Sequence, residues 1–141
     1  MYSIKTSASF DSAHFLKGYN GKCANIHGHH WVVEIVLSGE KLADDGEKRG
    51  MLMDFGDIKH ELRELAKYYD HAFIYEEGSL KEATVNALND EDFRLITVPY
   101  RPTAENFAKA FYEHFKDKNY PVRCVRVFET PKNCAEYEAD E

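Results

Sequence analysis

Residues 23–38 read CANIHGHHWVVEIVLS and join a cluster of metal-binding side chains to a run rich in Val and Ile. The run from Trp31 to Ser38 predicts a β-strand, because β-branched and aromatic side chains favour extended chain. If the extended chain continues back through Gly28, side chains alternate between two faces, and His27 and His29 point to the same side. Both imidazoles could then reach one ion.

A second strand is predicted upstream, over residues 2–15, and residues 18–22 (GYNGK) between the two strands have turn composition. An antiparallel pair would bring His14 to His27 and His29. Neutral imidazoles suit zinc, and three protein ligands leave one position open, as in catalytic zinc sites. Structural zinc sites close that position, often with Cys. The spacing leaves open whether Cys23 is a fourth ligand or stands beside the metal.

The order along the chain is two strands, then helices, then further strands, which indicates an α+β fold with helices on one face of an antiparallel sheet. Asp54 and Thr103 are predicted to cap two helices, and a capping box at residues 79–82 predicts a third. Strands are expected at Arg94 to Val98 and Val122 to Phe128. The unprotected sheet edges favour pairing between subunits, so a homo-oligomer is expected.

Length and composition limit the possible functions. A chain of 141 residues fits one compact domain spanning residues 1–141. A net charge of -7 and a pI near 5.5 argue against nucleic acid as a direct partner, because phosphate binding needs a basic face. No apolar run is long enough to span a membrane, and no signal peptide is evident. With three cysteines and no framework spacing, a cytoplasmic protein with reduced thiols is expected.

Asp70-His71 follows directly after the helix that Asp54 caps. A carboxylate beside an imidazole can orient the ring and stabilise its charged form. An isolated pair of this kind is more often a histidine that interacts with the helix dipole. Beside a cysteine and an open metal position, proton transfer becomes the favoured interpretation.

Taken together, these segments make the chain resemble the 6-pyruvoyltetrahydropterin synthase family over nearly its full length. Each segment is weak alone, and their shared order and spacing carry the resemblance. The matching segments are residues 10–14 (FDSAH), 23–29 (CANIHGH), 53–55 (MDF), 70–71 (DH), 102–106 (PTAEN) and 128–130 (FET).

The resemblance implies the tunnelling fold, in which sheets from several subunits form a barrel, typically a hexamer with active sites at subunit interfaces. It implies a small-molecule pterin triphosphate as substrate. It also implies zinc held by His14, His27 and His29, and a proton-transferring Cys23 assisted by Asp70 and His71. Glu129 would anchor the pterin ring, and Thr103 and Glu105 match a segment close to the bound pterin.

Members of this family act on 7,8-dihydroneopterin triphosphate and eliminate its triphosphate. One branch leaves a pyruvoyl side chain, and the other leaves a carboxylate, releases acetaldehyde and serves queuosine biosynthesis. The Cys-x3-His-x-His spacing and the residues 129–135 (ETPKNCA) look more like the carboxy-forming branch. Epimerase or aldolase chemistry on dihydroneopterin, and a non-catalytic zinc-stabilised oligomer, are the alternatives from other classes.

Three features depart from the commoner family pattern or lack a match. His30 stands where the family often has Asn or Ser, and period two points it away from the metal. An extra helical segment follows His71, where shorter members turn tightly. The residues that bind the triphosphate are not evident, and Lys22 is a candidate only because it adjoins Cys23.

Overall fold

The computed structural model describes residues 1–140, which form one six-stranded sheet and three helices. The strands, in chain order, are β1 (Tyr2–His14), β2 (His27–Gly39), β3 (Ala72–Glu76), β4 (Leu95–Val98), β5 (Val122–Thr130) and β6 (Asn133–Tyr137). The helices are α1 (Phe55–Tyr69), α2 (Glu82–Asp90) and α3 (Ala104–Asp117), and a single 3-10 turn covers Lys22–Ala24. The strand order across the sheet is β4-β3-β1-β2-β5-β6.

The sheet is mixed, which corrects the prediction of an antiparallel sheet. β1, β2, β5 and β6 form antiparallel pairs, with Tyr2 opposite Gly39 and His14 opposite His27 in the long central pair. β3 lies parallel to β1 and to β4. Parallel neighbours need a crossover, and α2 supplies the one between β3 and β4. The sequence pattern did not reveal this, because β3 is short and was not predicted.

The helices α1 and α3 pack on one face of the sheet, as the sequence predicts. The aromatic stripe of α3 and the apolar stripe of α1 are buried against Trp31 and its neighbours on β2. Both predicted caps are present: the Asp54 carboxylate accepts from the Gly56 N–H at 2.8 Å, and the Thr103 hydroxyl accepts from the Asn106 N–H at 3.1 Å. Each satisfies an amide that the helix itself leaves without a partner.

The segment around α2 differs from the prediction. The predicted capping box is wrong, because the Ser79 hydroxyl donates to the Glu76 carbonyl at 2.6 Å and α2 starts only at Glu82. No residue of α2 is buried. β6 was also missed, since residues 133–137 are mostly polar or small. Within residues 1–140, no helix has the length and apolar character needed to cross a membrane.

Candidate active site

Three imidazoles meet at one end of the central strand pair. His14 ends β1, and His27 and His29 begin β2, so the antiparallel register brings them together. One ring nitrogen from each lies within 4.8 Å of the others, the only such group of His, Cys, Asp or Glu that could hold a metal among residues 1–140. Trp31 packs edge-on against His14 and His29, with ring centroids 5.0 and 5.1 Å apart, and closes the site towards the core.

Backbone carbonyls fix the orientation of two of these rings. His14 Nδ1 lies 2.7 Å from the Pro102 carbonyl oxygen, and His27 Nδ1 lies 2.7 Å from that of Asn25. A carbonyl only accepts, so each ring carries its hydrogen on Nδ1 and turns a bare Nε2 lone pair inward. Metal-binding histidines are oriented in this way.

The two bare nitrogens, His14 Nε2 and His27 Nε2, are 3.1 Å apart. Two lone pairs facing each other at this distance repel unless a cation lies between them. Two Zn–N bonds of about 2.0–2.1 Å at a tetrahedral angle place their nitrogens about 3.3 Å apart. The donor type, the tautomers and the spacing therefore fit a zinc-like cation.

Burial keeps the site in the protonation state that binds metal. His14 is 1% exposed. Burial lowers the pKa of His14 from 6.5 to about 4, with the charges of His27 and His29 adding to this and the bond to Pro102 opposing it. Burial also lowers the pKa of His29, against the opposing effect of the Glu129 carboxylate. Neutral rings are the ligand form, so the site needs little proton release on metal binding.

Cys23 lies on the 3-10 turn just before β2 and is partly exposed. Its backbone carbonyl accepts from the Leu16 N–H at 2.9 Å, which ties the turn to the end of β1. Cys23 is not in the group of close ligand atoms formed by the three histidines among the described residues. This arrangement favours a thiol beside the metal over a fourth ligand.

Asp70 and His71 occupy the turn between α1 and β3. One Asp70 carboxylate oxygen accepts from the Asp11 N–H at 2.8 Å, and the other lies 2.9 Å from His71 Nδ1. The His71 N–H donates to the Asp11 carbonyl at 2.6 Å, and its φ of 56 falls in the left-handed region. The hydrogen bonds to Asp11 and then His71 lower the pKa of the Asp70 carboxyl. The pair is therefore oriented, while the His71 side chain is 79% exposed.

The structure brings the three histidines together, while Asp70-His71 is oriented at the Asp11 backbone. His29 borders a hollow of about 560 Å³ in which His71 lies together with Asp11 and His30. Period two puts these two residues on the sheet face opposite to the metal ligands, and His30 Nδ1 bonds the Asp11 carboxylate at 2.7 Å. The exclusion of His30 from the triad is confirmed.

Glu129 lies beside the metal site. It is partly buried at the end of β5, at a register shift where the ladder between β5 and β6 passes from Phe128 to Thr130. Bulges of this kind redirect side chains next to functional sites. The Glu129 carboxylate is close enough to His29 to influence the pKa of that ring. Glu129 and Glu105 also line a common hollow of about 380 Å³.

Residues 102–106 contribute both to this hollow and to the metal site. The backbone contacts that orient the metal ligands were not predicted from the sequence. The Pro102 carbonyl orients His14, and the Thr103 hydroxyl is occupied as the cap of α3. The Asn25 carbonyl orients His27 in the same way. Carbonyl contacts carry no side-chain signature, so the sequence marked these positions only through the motifs that contain them.

Comparison with known proteins shows which family the chain belongs to. A family model described as 6-pyruvoyl tetrahydropterin synthase matches residues 3–140. The chain belongs to this family. The chain is 35% identical over 98% of its length to the 6-carboxy-5,6,7,8-tetrahydropterin synthase of Haemophilus influenzae, covering 99% of that protein. It is 30% identical to a protein of Archaeoglobus fulgidus named as a putative enzyme of the same kind, with coverages of 94% and 92%.

Solved structures agree on the fold. An uncharacterised protein from Wolinella succinogenes superposes with a TM-score of 0.82 at 19% identity, covering 99% of this chain and 98% of that one. The 6-pyruvoyltetrahydropterin synthase of Caenorhabditis elegans superposes with a TM-score of 0.67 at 24% identity, with coverages of 99% and 96%. The mixed, curled sheet with three helices is thus the tunnelling fold that the sequence resemblance implied.

Proposed function

We propose that this chain is a zinc-dependent lyase of queuosine biosynthesis. It would convert 7,8-dihydroneopterin triphosphate and one water to 6-carboxy-5,6,7,8-tetrahydropterin, acetaldehyde and triphosphate. The observation that carries the proposal is the inward-facing nitrogen set of His14, His27 and His29 with Cys23 outside it. The name of the Haemophilus influenzae relative supports this outcome over the pyruvoyl-forming one.

The three histidines would hold the zinc, which when bound supplies Lewis acidity towards the hydroxyl oxygens of the substrate side chain. Cys23 would act as the base, taking a proton from a carbon next to those hydroxyls as a thiolate. Its position on a partly exposed turn that is tied to the end of β1 and comes shortly before β2 suits a group that must meet the substrate.

Glu129 would bind the pterin ring. A pterin presents adjacent N–H donors, and a carboxylate can accept both of them in a bidentate manner. The hollow shared by Glu129 and Glu105 lies at the N-terminal end of α3, where Thr103 holds the first turn in place. We assign Glu105 to the same pocket and Thr103 to its frame.

Asp70 and His71 would move protons on the other side of the substrate. Within one chain this pair opens into a hollow that it shares with Asp11 and His30, whose side chains point away from the zinc ligands, and that His29 also borders. We infer that each active site combines the zinc ligands of one subunit with the Asp70-His71 pair of another. The open sheet edges at β4 and β6 suit the pairing of subunits, and a hexameric barrel in the cytoplasm, with residues 1–141 as one domain per subunit, is the assembly we propose.

Product analysis tests the proposal. The purified zinc-loaded protein is incubated with 7,8-dihydroneopterin triphosphate, and the pterin, acetaldehyde and triphosphate formed are identified. We expect the 6-carboxy pterin with equal amounts of acetaldehyde and triphosphate. A pyruvoyl pterin without acetaldehyde would place the chain in the other branch. No turnover with full zinc occupancy would favour the non-catalytic alternative.

A further inference from the structure

The hollow around His71 contains an arginine for which the sequence suggested no role. On one side the hollow is walled by Leu88 of α2 and by Phe93 and Arg94 in the link between α2 and β4. The resemblance implies that this part of the chain is an extra segment compared with shorter family members. Among the described residues that line the hollow, Arg94 is the one Lys or Arg. Arg94 therefore places a permanent positive charge in the hollow that contains His71.

The end of α1 positions the Arg94 side chain and uses only part of its guanidinium. Its Nη2 donates to the Tyr68 carbonyl near the end of α1, and its guanidinium carbon lies 5.5 Å from the centre of the Tyr68 ring. The Arg94 carbonyl accepts from the Phe73 N–H at 2.9 Å, which fixes its backbone against β3. A guanidinium has five N–H donors, and one is used within residues 1–140. The others are presented by a side chain that is already positioned.

The acidic groups around Arg94 have other partners. The Asp70 carboxylate is bonded to the Asp11 N–H and to His71, and the Asp11 carboxylate to His30. Phe73, Phe93 and Leu88 make the remaining wall apolar, and Arg94 itself is exposed to solvent. In a chain with a net charge of -7, a hollow that presents an arginine to a ligand is unexpected. It suits a small anion that binds several donors at once.

We propose that Arg94 anchors the triphosphate group of the substrate in the hollow that carries His71. The inference rests on the proposed function, because that function supplies a triphosphate ester. A substrate that reaches His71 also meets Arg94, whichever subunit supplies the metal, since both residues line one hollow of one chain. Lys22, the candidate from the sequence, lies on the turn with Cys23 and does not line this hollow.

Binding of inorganic triphosphate to the zinc-loaded protein, measured by calorimetry, tests Arg94 directly. We compare Arg94→Gln, Arg94→Lys and Lys22→Gln with Arg63→Gln, which removes an exposed arginine on the outer face of α1. Loss of charge-assisted hydrogen bonds should weaken triphosphate binding about 10–100-fold in Arg94→Gln. Arg94→Lys should retain part of the affinity, since it keeps the positive charge but loses the planar set of several N–H donors. Arg63→Gln should bind as the wild type does.

Steady-state kinetics separate an anchor from a purely structural role. An anchor raises KM for 7,8-dihydroneopterin triphosphate and weakens triphosphate binding, while binding of dihydroneopterin, which has no phosphate, is unchanged. Unchanged triphosphate affinity in Arg94→Gln, an equal loss in Arg63→Gln, or a loss found only in Lys22→Gln would overturn the proposal. So would a fall in kcat and thermal stability with KM unchanged, because this pattern indicates a structural role through Tyr68.

Failure of the proposed function gives a different result. In that case the wild type forms no product from the pterin substrate. The triphosphate calorimetry still decides whether Arg94 binds the anion, because it does not depend on turnover. A wild type that turns over the substrate while Arg94→Gln keeps its KM would reject the anchor and leave the function standing.

Discussion

The two faces of the β1–β2 strand pair carry two different kinds of site. On the inner face, His14 and His29 pack against Trp31, and His27 packs against both of these rings. Backbone carbonyls fix the rings of His14 and His27. On the outer face, Asp70-His71 is oriented by hydrogen bonds to Asp11 but opens into a broad hollow. The inner site is nearly complete within one chain, whereas the outer pair lies in an open hollow that is also lined by His29, His30 and Arg94.

The difference follows from strand geometry. Neighbouring residues on a strand point to opposite faces, so His29 and His30 cannot serve the same site. The inner face is already covered by α1 and α3, and burial there lowers the pKa of His14 and of His29, which favours their neutral form. On the outer face the only helical residue among residues 1–140 that lines the hollow is Leu88 of α2, and Asp11, His30 and His71 stay exposed. A division of this kind suits an enzyme whose metal and proton relay come from different subunits.

Removing one histidine from each face tests the difference between the two faces most directly. His27→Ala deletes an inward-facing nitrogen and should reduce zinc, measured by elemental analysis, from about one ion per chain to a small fraction of that, because three-ligand sites have no spare donor. Turnover should be lost with the metal. His30→Ala is the matched control, since its ring bonds Asp11 on the other face, and it should keep full zinc. Full zinc in His27→Ala would contradict the ligand assignment.

Cys23→Ala tests whether the thiol is a base or a ligand. A base is not needed to hold the metal, so the variant should keep its zinc and its melting temperature while turnover falls by about 10²–10⁴-fold. Zinc content and product formation are measured on the same preparation. Zinc lost together with activity would instead place the thiol in the coordination sphere and close the open position.

Mixing two inactive variants tests whether the faces work across subunits. His27→Ala lacks the metal, and His71→Ala lacks the exposed imidazole, so each alone should be inactive or nearly so. If sites combine two chains, co-expressed hybrids should regain part of the wild-type turnover at sites that pair an intact inner face with an intact outer face. The mixture of separately assembled oligomers is the control. Hybrids no more active than that mixture would indicate that each chain works alone.

Much of this arrangement could be predicted from sequence where a single strong pattern decides it. The H-x-H spacing and the strand composition gave the inner face, and the caps at Asp54 and Thr103 gave α1 and α3. The short strands β3 and β6 were not predicted, because five residues carry little periodicity. Without β3, the parallel half of the sheet could not be predicted either. β3 also sets where Asp70-His71 lies, because the pair occupies the turn just before this strand.

The smallest expected effect concerns the stability that Asp70 adds at the outer face. Hydrogen bonds from Asp11 and His71 hold the pKa of Asp70 below its usual value of 3.8. A carboxyl with a lower pKa in the folded state stabilises the fold above its unfolded pKa, and this contribution is lost as pH falls through the folded value. Asp70→Asn should therefore lower the free energy of unfolding at neutral pH, by less than about 1 kcal/mol because the side chain is 40% exposed and screened by solvent.

Urea unfolding of wild type and Asp70→Asn between pH 7 and pH 3 measures this contribution. The difference between the two proteins should stay constant down to about pH 4 and then shrink as the wild-type carboxyl takes up its proton. Arg63→Gln, away from the outer hollow, should show no such convergence. A difference that grows on acidification would mean that Asp70 is held protonated in the folded protein, and the outer pair would then have to be an acid instead of a charged partner for His71.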